Sequence, residues 1–530
     1  MKNRYQILTA LMLLFASAAA PTLQAADPTY SEDIAPILFD HCVSCHRSGE
    51  IAPFELLTYE DAANRAQMIK AVTQSRYMPP WKAEPGYGEF AYNASLSQEE
   101  IDLIAAWVDA GMPPGDLNMT PAPPTFTDGS QLGVPDLILS MEEAWQIKDN
   151  YRDEYRNFVL PTGLTEDRVV AAIEFRPGNP KVVHHAIVYA DETGTARQLD
   201  ADDPGYGYDN FGGPGVSEAK FFEGYVPGRK VDFFPQGMGM ILKKGTDLIL
   251  NLHYAPSVTE EEDKSYVNIF FADERPQDTR QVYQEFVMSP FFIENGPFII
   301  PPNEISTFTG RLTIPADVSV MGIAPHQHLL GRSVKAYVLR PDGETIPLIS
   351  VPDWDFNWQG AYRFKKLVHI PAGSDLVYEA TYDNTVDNPA NPNSPPRTAA
   401  WGERTSDEMF LCSFQWVDYQ AGDEFIKLEQ DGTSTSAGET DDENIYHVKL
   451  HPNPSSGAAQ ISFTLAQSAT VTVEISDIRG AILQYPLLNT TLAAGDHSAV
   501  IKGEHLAPGT YYCRFRTGED SFGTRMLIVR

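Results

Sequence analysis

The runs KVVHHAIVYA (181–190), DLILNLHYAP (247–256) and SVKAYVLR (333–340) decide the architecture. Each is short, rich in β-branched and aromatic residues, and fenced by Gly, Pro or Asp. That texture holds from about Pro135 to about Lys427 and predicts an all-β region. The span is too long for one sandwich, so two jelly-roll-like sandwiches are expected, 136–290 and 291–427, dividing around SPFFIENGPFIIPP. Upstream, residues 27–117 read as a small all-α domain. In SLSQEEIDLIAAWVDAG, Ile101, Ile104, Ala105 and Val108 recur at helical spacing. Ser97 with Glu100 makes a capping box, and Gly111 and Pro113 close the helix. Residues 118–135 are polar and Pro-rich, a linker. A second linker, acidic and Ser/Thr-rich, covers 428–445. Residues 446–530 return to short strands and suggest a small β-sandwich of immunoglobulin-like size.

The 530 residues carry 39 Lys or Arg against 72 Asp or Glu, a net charge of −33. Phosphate-driven nucleic-acid binding needs clustered basic residues, so it is excluded. Lys2 and Arg4, the apolar run Ile7–Ala20 and the small residues Gln24-Ala25-Ala26 have the plan of a cleaved secretory signal over 1–26. The run falls short of the about 20 residues a membrane span needs. The mature protein is expected to be soluble and exported.

Cys42-Val-Ser-Cys45-His46 places two thiols three residues apart, with an imidazole directly after them. This permits two thioether bonds to a haem, with His46 on the iron. A disulfide between Cys42 and Cys45 is one alternative. Zinc is another, but only His41 remains nearby as a further ligand. The second axial ligand is assigned to Met78, on the Pro-rich loop RYMPPW, ahead of Met68, expected to be helical and packed, and Met112, just past the last helix. The domain resembles a c-type cytochrome.

Five of the twelve histidines fall in three short motifs: His184 and His185 in VVHHAIVY, His253 in LNLHYAP, and His326 and His328 in APHQHLLG. Neighbours on a strand point to opposite faces, so His184 and His185 can share a metal only if the backbone turns or bulges. His326 and His328, two apart, project to one face of a strand. Imidazole suits copper, zinc, iron or nickel. His369 and His447 read as incidental. In Thr405-Ser406-Asp407-Glu408-Met409 a thioether is added, which favours Cu(I) over zinc and hard cations.

Together the motifs HH, HY, HxH and SDEM resemble the copper type II, ascorbate-dependent monooxygenases, which include peptidylglycine α-hydroxylating monooxygenase and dopamine β-hydroxylase. The resemblance spans roughly 136–425, and YEATYDNTVDNPANP (378–392) looks like that family's second half. It implies two copper ions facing each other across a solvent-filled cleft. His184, His185 and His253 would hold the electron-transfer copper; His326, His328 and Met409 would hold the copper that binds O2 and would be the catalytic set. Tyr254 and Asn251 flank the first motif, either as supports of the copper ligands or as ordinary strand packing.

The peptide-amidating members grip a substrate carboxylate with an Arg two residues before HxH and polar residues two and four after the Met. Here those positions are Ala324, Leu411 and Ser413, so the guanidinium fork is missing and a peptidyl-glycine substrate is not expected. The family's disulfides are absent as well, and Cys412 reads as a buried thiol.

His451-Pro452-Asn453-Pro454, Ile478-Arg479-Gly480 and Pro508-Gly509-Thr510-Tyr511-Tyr512 resemble the type A sorting domain of the type IX secretion system. That implies secretion or surface attachment, through the periplasm of a Gram-negative bacterium. The resulting expectation is a secreted copper monooxygenase that hydroxylates a C–H bond of a small organic substrate with O2. Its electrons come through the fused c-type haem from an external donor, ascorbate or a redox protein. The alternative is an extracellular haem and copper electron-transfer or copper-binding protein, which would keep every motif without turnover.

Overall fold

The computed structural model describes residues 27–428 except 125, 127, 128, 151, 211 and 212. Of the C-terminal portion it describes 445–451, 458–465, 468–477, 482–503, 506, 509–517 and 520–528. The expected signal at 1–26, nearly all of the acidic linker, Pro452–Pro454, Ile478–Gly480 and Pro508 lie outside the described residues. Among the described residues the protein is mainly β, with several sheets, few helices and no barrel. No helix among the described residues is long and apolar enough to cross a membrane.

The N-terminal part is helical: Tyr30–Ile34, Ala35–His41, Tyr59–Ala63, Ala66–Gln74 and Gln98–Asp109. Ser97 and Glu100 form the capping box that their spacing predicts. Ile101, Ile104, Trp107 and Val108 are buried against Tyr30, Ile34 and Leu38. Gly111, at φ +84°, ends the last helix, a backbone state that favours glycine. Met68 corrects its expectation: it is helical but 50% exposed, because Ala66, Ile69 and Thr73 supply the buried face of its helix.

The first β unit packs a four-stranded sheet, Glu154–Pro161, Asp247–Tyr254, Val183–Asp191 and Lys220–Tyr225 in spatial order, near a five-stranded sheet centred on Arg168–Arg176. The second unit has two four-stranded sheets. One orders Tyr283–Met288, Leu411–Asp418, Val318–His326 and Tyr362–Ile370; the other orders Ile305–Thr313, Asp375–Asp383, Gly331–Leu339 and Thr345–Val351. One continuous apolar cluster runs through both units. The C-terminal residues form a three-stranded and a four-stranded sheet with a separate core around Phe463, Val473 and Ile475.

The helical part is not tethered by its linker alone. Ala91 N–H donates to Arg363 O at 2.9 Å, Lys365 N–H to Glu89 O at 2.9 Å, and Glu84 N–H to Ser350 O at 2.8 Å. Trp81 and Phe90 pack on Tyr362, and Phe90 stacks on Phe364. The following linker is also tied down. Gly129 O accepts from Asn268 Nδ2 at 2.8 Å, Gln131 N–H donates to Glu174 Oε1 at 2.8 Å, and Arg47 lies over the Phe126 ring.

Candidate metal centres

The first centre is made by a bulge. Val183 pairs with Tyr254 and His185 with His253, and the register slips between Val183 and His185. The extra residue at His184 breaks the alternation, so both imidazoles turn toward His253. His185 Nδ1 lies 3.2 Å from His184 Nδ1 and 3.2 Å from His253 Nδ1. Facing ring nitrogens at this spacing suit three donors on one cation, since metal–N bonds of about 2.0–2.1 Å set N···N edges of about 3.3 Å. Asp153 Oδ1 sits 2.8 Å from His253 Nε2 and fixes which nitrogen faces inward. Tyr155 stacks on the His253 ring at 4.3 Å.

The second centre lies where the strand Val318–His326 ends. His326 Nδ1 is 2.6 Å from Gln359 Oε1, and His328 Nδ1 is 3.1 Å from Asp407 O. Both rings thereby keep Nε2 for a ligand. Glu408 binds the backbone from within: its carboxylate accepts from His328 N–H at 3.0 Å, Leu330 N–H at 2.6 Å and Met409 N–H at 3.2 Å. Burial pushes the Glu408 carboxyl up to about 8, while those three N–H groups pull it down. Tyr382 Oη donates to Met409 O at 2.7 Å.

Burial, reinforced by the neighbouring imidazoles, lowers His184 to about 4 and His326 to about 3, and holds His185 well below its ordinary value. Burial also lowers His328 to about 4, with the Asp407 carbonyl opposing. Neutral imidazole is the metal-binding form.

His185, His326, His328 and Met409 line one cavity of about 350 Å³ together with Tyr189, Phe221, Tyr225, Phe286 and Trp401. Phe356 touches both sets, its ring centroid 5.3 Å from His184 and 5.8 Å from His328. Asn251 lines this cavity and donates to Asn157 Oδ1. Tyr254 is fully buried and donates to Asp263, so it is packing. His369 is a satisfied residue, paired with Asp317 and stacked on Tyr419. Cys412 is a buried free thiol.

In the helical part Cys42 and Cys45 are both free thiols. They sit in a tight turn in which Cys45 and His46 N–H both donate to Cys42 O. His46 Nδ1 is 3.0 Å from Phe54 O, which leaves Nε2 for iron. Met78 is half-buried. Two thiols and an imidazole on one turn are the donor chemistry that covalent haem attachment uses.

Asp153, Tyr155, Phe356 and Gln359 carry no motif and were not found from the sequence. Glu408 stood inside the SDEM motif, and its adjacency to Met409 was the available signal.

Two β units bring a three-imidazole set and an imidazole–thioether set to one cavity, donors of the kind that suit copper. Residues 303–423 match the family model of the copper type II ascorbate-dependent monooxygenase C-terminal domain. His326, His328 and Met409 fall inside that match; His184, His185 and His253 fall outside it. Residues 449–530 match the model of the secretion system C-terminal sorting domain. No curated protein matches the chain. Solved structures similar to part of it include β-glucuronidases from Ruminococcus gnavus (10% identity, TM-score 0.18), Lactobacillus rhamnosus (11%, 0.17) and Faecalibacterium prausnitzii (12%, 0.16). Each alignment covers 43% of this chain and 36%, 36% and 38% of those chains, well under two thirds of their length.

Proposed function

We propose that this chain is an exported copper-dependent monooxygenase that hydroxylates a C–H bond of a small organic molecule with O2, with electrons entering through a haem on Cys42 and Cys45. The observation that carries this is the shared cavity, on which His185 of one set and His326, His328 and Met409 of the other open together. Copper bound by the two sets would supply one-electron transfer and O2 activation. The chain's own residues prepare those sites. His184, His185 and His253 present their Nδ1 atoms to one another, with Asp153 fixing the His253 ring. Gln359 and Asp407 O orient His326 and His328. Glu408 fixes the Met409 segment to the backbone of His328 and Leu330. The aromatic side chains Phe221, Tyr225, Phe286 and Trp401 give the cavity an apolar wall.

In the same reading His46 and Met78 are the haem's axial ligands. The helical part touches both β units: Glu50 pairs with Arg176 at 2.9 Å, Gly228 lies beside Cys45, and Tyr77 meets Trp358, the neighbour of Gln359, with ring centroids 6.0 Å apart. Contact on both sides supports electron supply from within the chain. The functional division is 27–117, 136–290 and 291–427, with 1–26 as export signal and 446–530 as the segment read by type IX secretion machinery.

Copper and haem analysis of the purified mature protein, joined to O2 uptake with ascorbate and a panel of apolar and aromatic compounds, tests this. The expected result is two coppers, one haem, and compound-dependent uptake that Met409→Ala abolishes. Full metal loading with reversible redox and no O2 uptake would instead leave an electron-transfer protein.

A further inference from the structure

The cavity has a polar extension that its motifs do not explain. A second space of about 70 Å³ adjoins it, and Arg229, Gln284, Ala324, Ala361 and Ser413 line both. Ala324 and Ser413 are register partners on adjacent strands. They occupy two of the positions at which the amidating enzymes would grip a carboxylate. Ala324 lies two residues before His326 on one strand face, about 7 Å along it. A guanidinium therefore does reach this wall, but from Arg229 of the first β unit.

Arg229 is already paired. Its Nη1 donates to the Glu223 carboxylate and to Gly224 O. Glu223 is buried, so the positive charge is compensated in place. The neighbouring Arg363 is likewise beside an acid, Asp232, at 3.7 Å. Lys230 lines the extension alone, its ammonium over the Tyr92 ring, so what remains on the shared wall itself is donors. Arg229 Nε and Nη2 make no hydrogen bond among the described residues. Gln284 accepts from Gln415 through Oε1 at 3.0 Å, which leaves its amide N–H2 free among them. The Ser413 hydroxyl likewise has no partner there. Donors that line one cavity without a protein partner are the groups an acceptor on a bound molecule would meet.

We infer, resting on the monooxygenase reading, that the substrate is an uncharged molecule with a flat aromatic or apolar body that ends in a hydrogen-bond acceptor of the carbonyl type. The body fills the chamber walled by Phe221, Tyr225, Phe286 and Trp401. The oxygen enters the polar extension and takes the donors of Arg229, Gln284 and Ser413. A carboxylate is disfavoured because Glu223 already holds the guanidinium. A plain hydrocarbon is disfavoured because, once seated, it would cut those donors off from water without pairing them, the arrangement that gives the largest discrimination between analogues.

Three probes of one shape test this on the full mature chain: 2-acetylnaphthalene, 2-ethylnaphthalene and 2-naphthoate, followed by naphthalene fluorescence. Copper is counted in the same preparation. The ketone is expected to bind about tenfold or more tighter than the ethyl compound, and tighter than the carboxylate. The ketone preference should shrink to about threefold or less in Arg229→Met. Since that change strands Glu223 and can impair folding, Ser413→Ala and Gln284→Leu give the same readout through neutral changes, each weakening the ketone alone. Equal binding of ketone and ethyl probes, tightest binding of the naphthoate, or no binding of any probe would overturn the inference. Two coppers per chain alongside any of those outcomes would leave the monooxygenase reading standing, whereas absent copper would sink that reading instead.

Discussion

The ring of Phe356 stacks on the imidazole of His184, with centroids 5.3 Å apart and planes inclined by 24°. Its edge faces His328 at 5.8 Å. A phenyl group thus stands between the two histidine sets, where the resemblance implied a solvent-filled cleft. Truncating it uncovers the His184 and His328 rings. Phe356→Ala is expected to retain both coppers but to release several-fold more peroxide per O2 consumed with ascorbate alone, because water exclusion protects reactive species. Peroxide yield at fixed O2 uptake checks this; an unchanged yield would show that the ring has no role in sealing the site.

Asp153 bears on the first centre through His253. Its burial raises the carboxyl, and the contact with His253 outweighs that and holds it below the ordinary Asp value. The carboxylate therefore stays charged and fixes the ring. Asp153→Asn should weaken the first copper site by about tenfold or more and leave the second intact. A copper titration that loses one tight site of two is the expected result.

Glu408 is expected to matter more for structure than its surface neighbours do. Glu408→Ala would leave the N–H groups of His328, Leu330 and Met409 without their acceptor in a buried place. The expected cost is about 3–5 kcal/mol, with loss of the second copper. Glu408→Gln keeps an acceptor oxygen and should recover most of the stability. Thermal unfolding and copper counts on the two variants separate these effects.

Acid stability should depend on the latch between the β units. Arg280 forks onto Asp423 at 2.8 and 2.7 Å, and Ser319 donates to the same carboxylate at 2.6 Å. Burial raises Asp423, but Arg280, Ser319 and the Gln420 N–H outweigh it, so the native carboxyl lies below its ordinary value. Between the ordinary value near 3.9 and the lower native one, the unfolded chain binds the extra proton. The stabilisation is therefore complete above that window and disappears as pH falls through it. Asp423→Asn should cost about 2 kcal/mol at neutral pH, less than for a fully buried pair because Arg280 keeps some solvent contact. It should also flatten the fall in stability below about pH 5. Denaturant titrations across pH 3–7 give both numbers.

The candidate ligands were legible because their chemistry is local: a doublet on a strand, a pair two apart, and a Met beside acids. Strand alternation also flagged the bulge at His184 before any geometry was known. Alternation applied one residue further would have turned Tyr254 away from His253, as found. Asp153 and Gln359 were hidden for a different reason. Each lies on a loop and meets its histidine only through tertiary packing, Asp153 a hundred residues from His253 and Gln359 thirty-three from His326. Residues 81–91 fall within the segment whose texture predicts a small all-α domain, with Trp81 on its Pro-rich loop. Their role as a strip docked on the second β unit depends on partners at 350–365, which no local pattern in either segment announces.

That docking makes the last prediction. The segment from Leu117 to Gly129 joins the helical part to the first β unit, yet Trp81, Phe90, Tyr362 and Phe364 form an aromatic contact with the second unit that is independent of this connection. Three backbone hydrogen bonds accompany it. Cutting the chain at a protease site inserted at Pro123–Pro124 should therefore leave both pieces in one particle on size-exclusion chromatography. Phe90→Ala removes the ring at the centre of the cluster, with an expected loss of about 3 kcal/mol, and the cut chain should then separate. If the unsubstituted cut chain already separates, the linker rather than the aromatic contact holds the helical part in place. Electron supply to the cavity would then depend on an intact chain and not on a docked face.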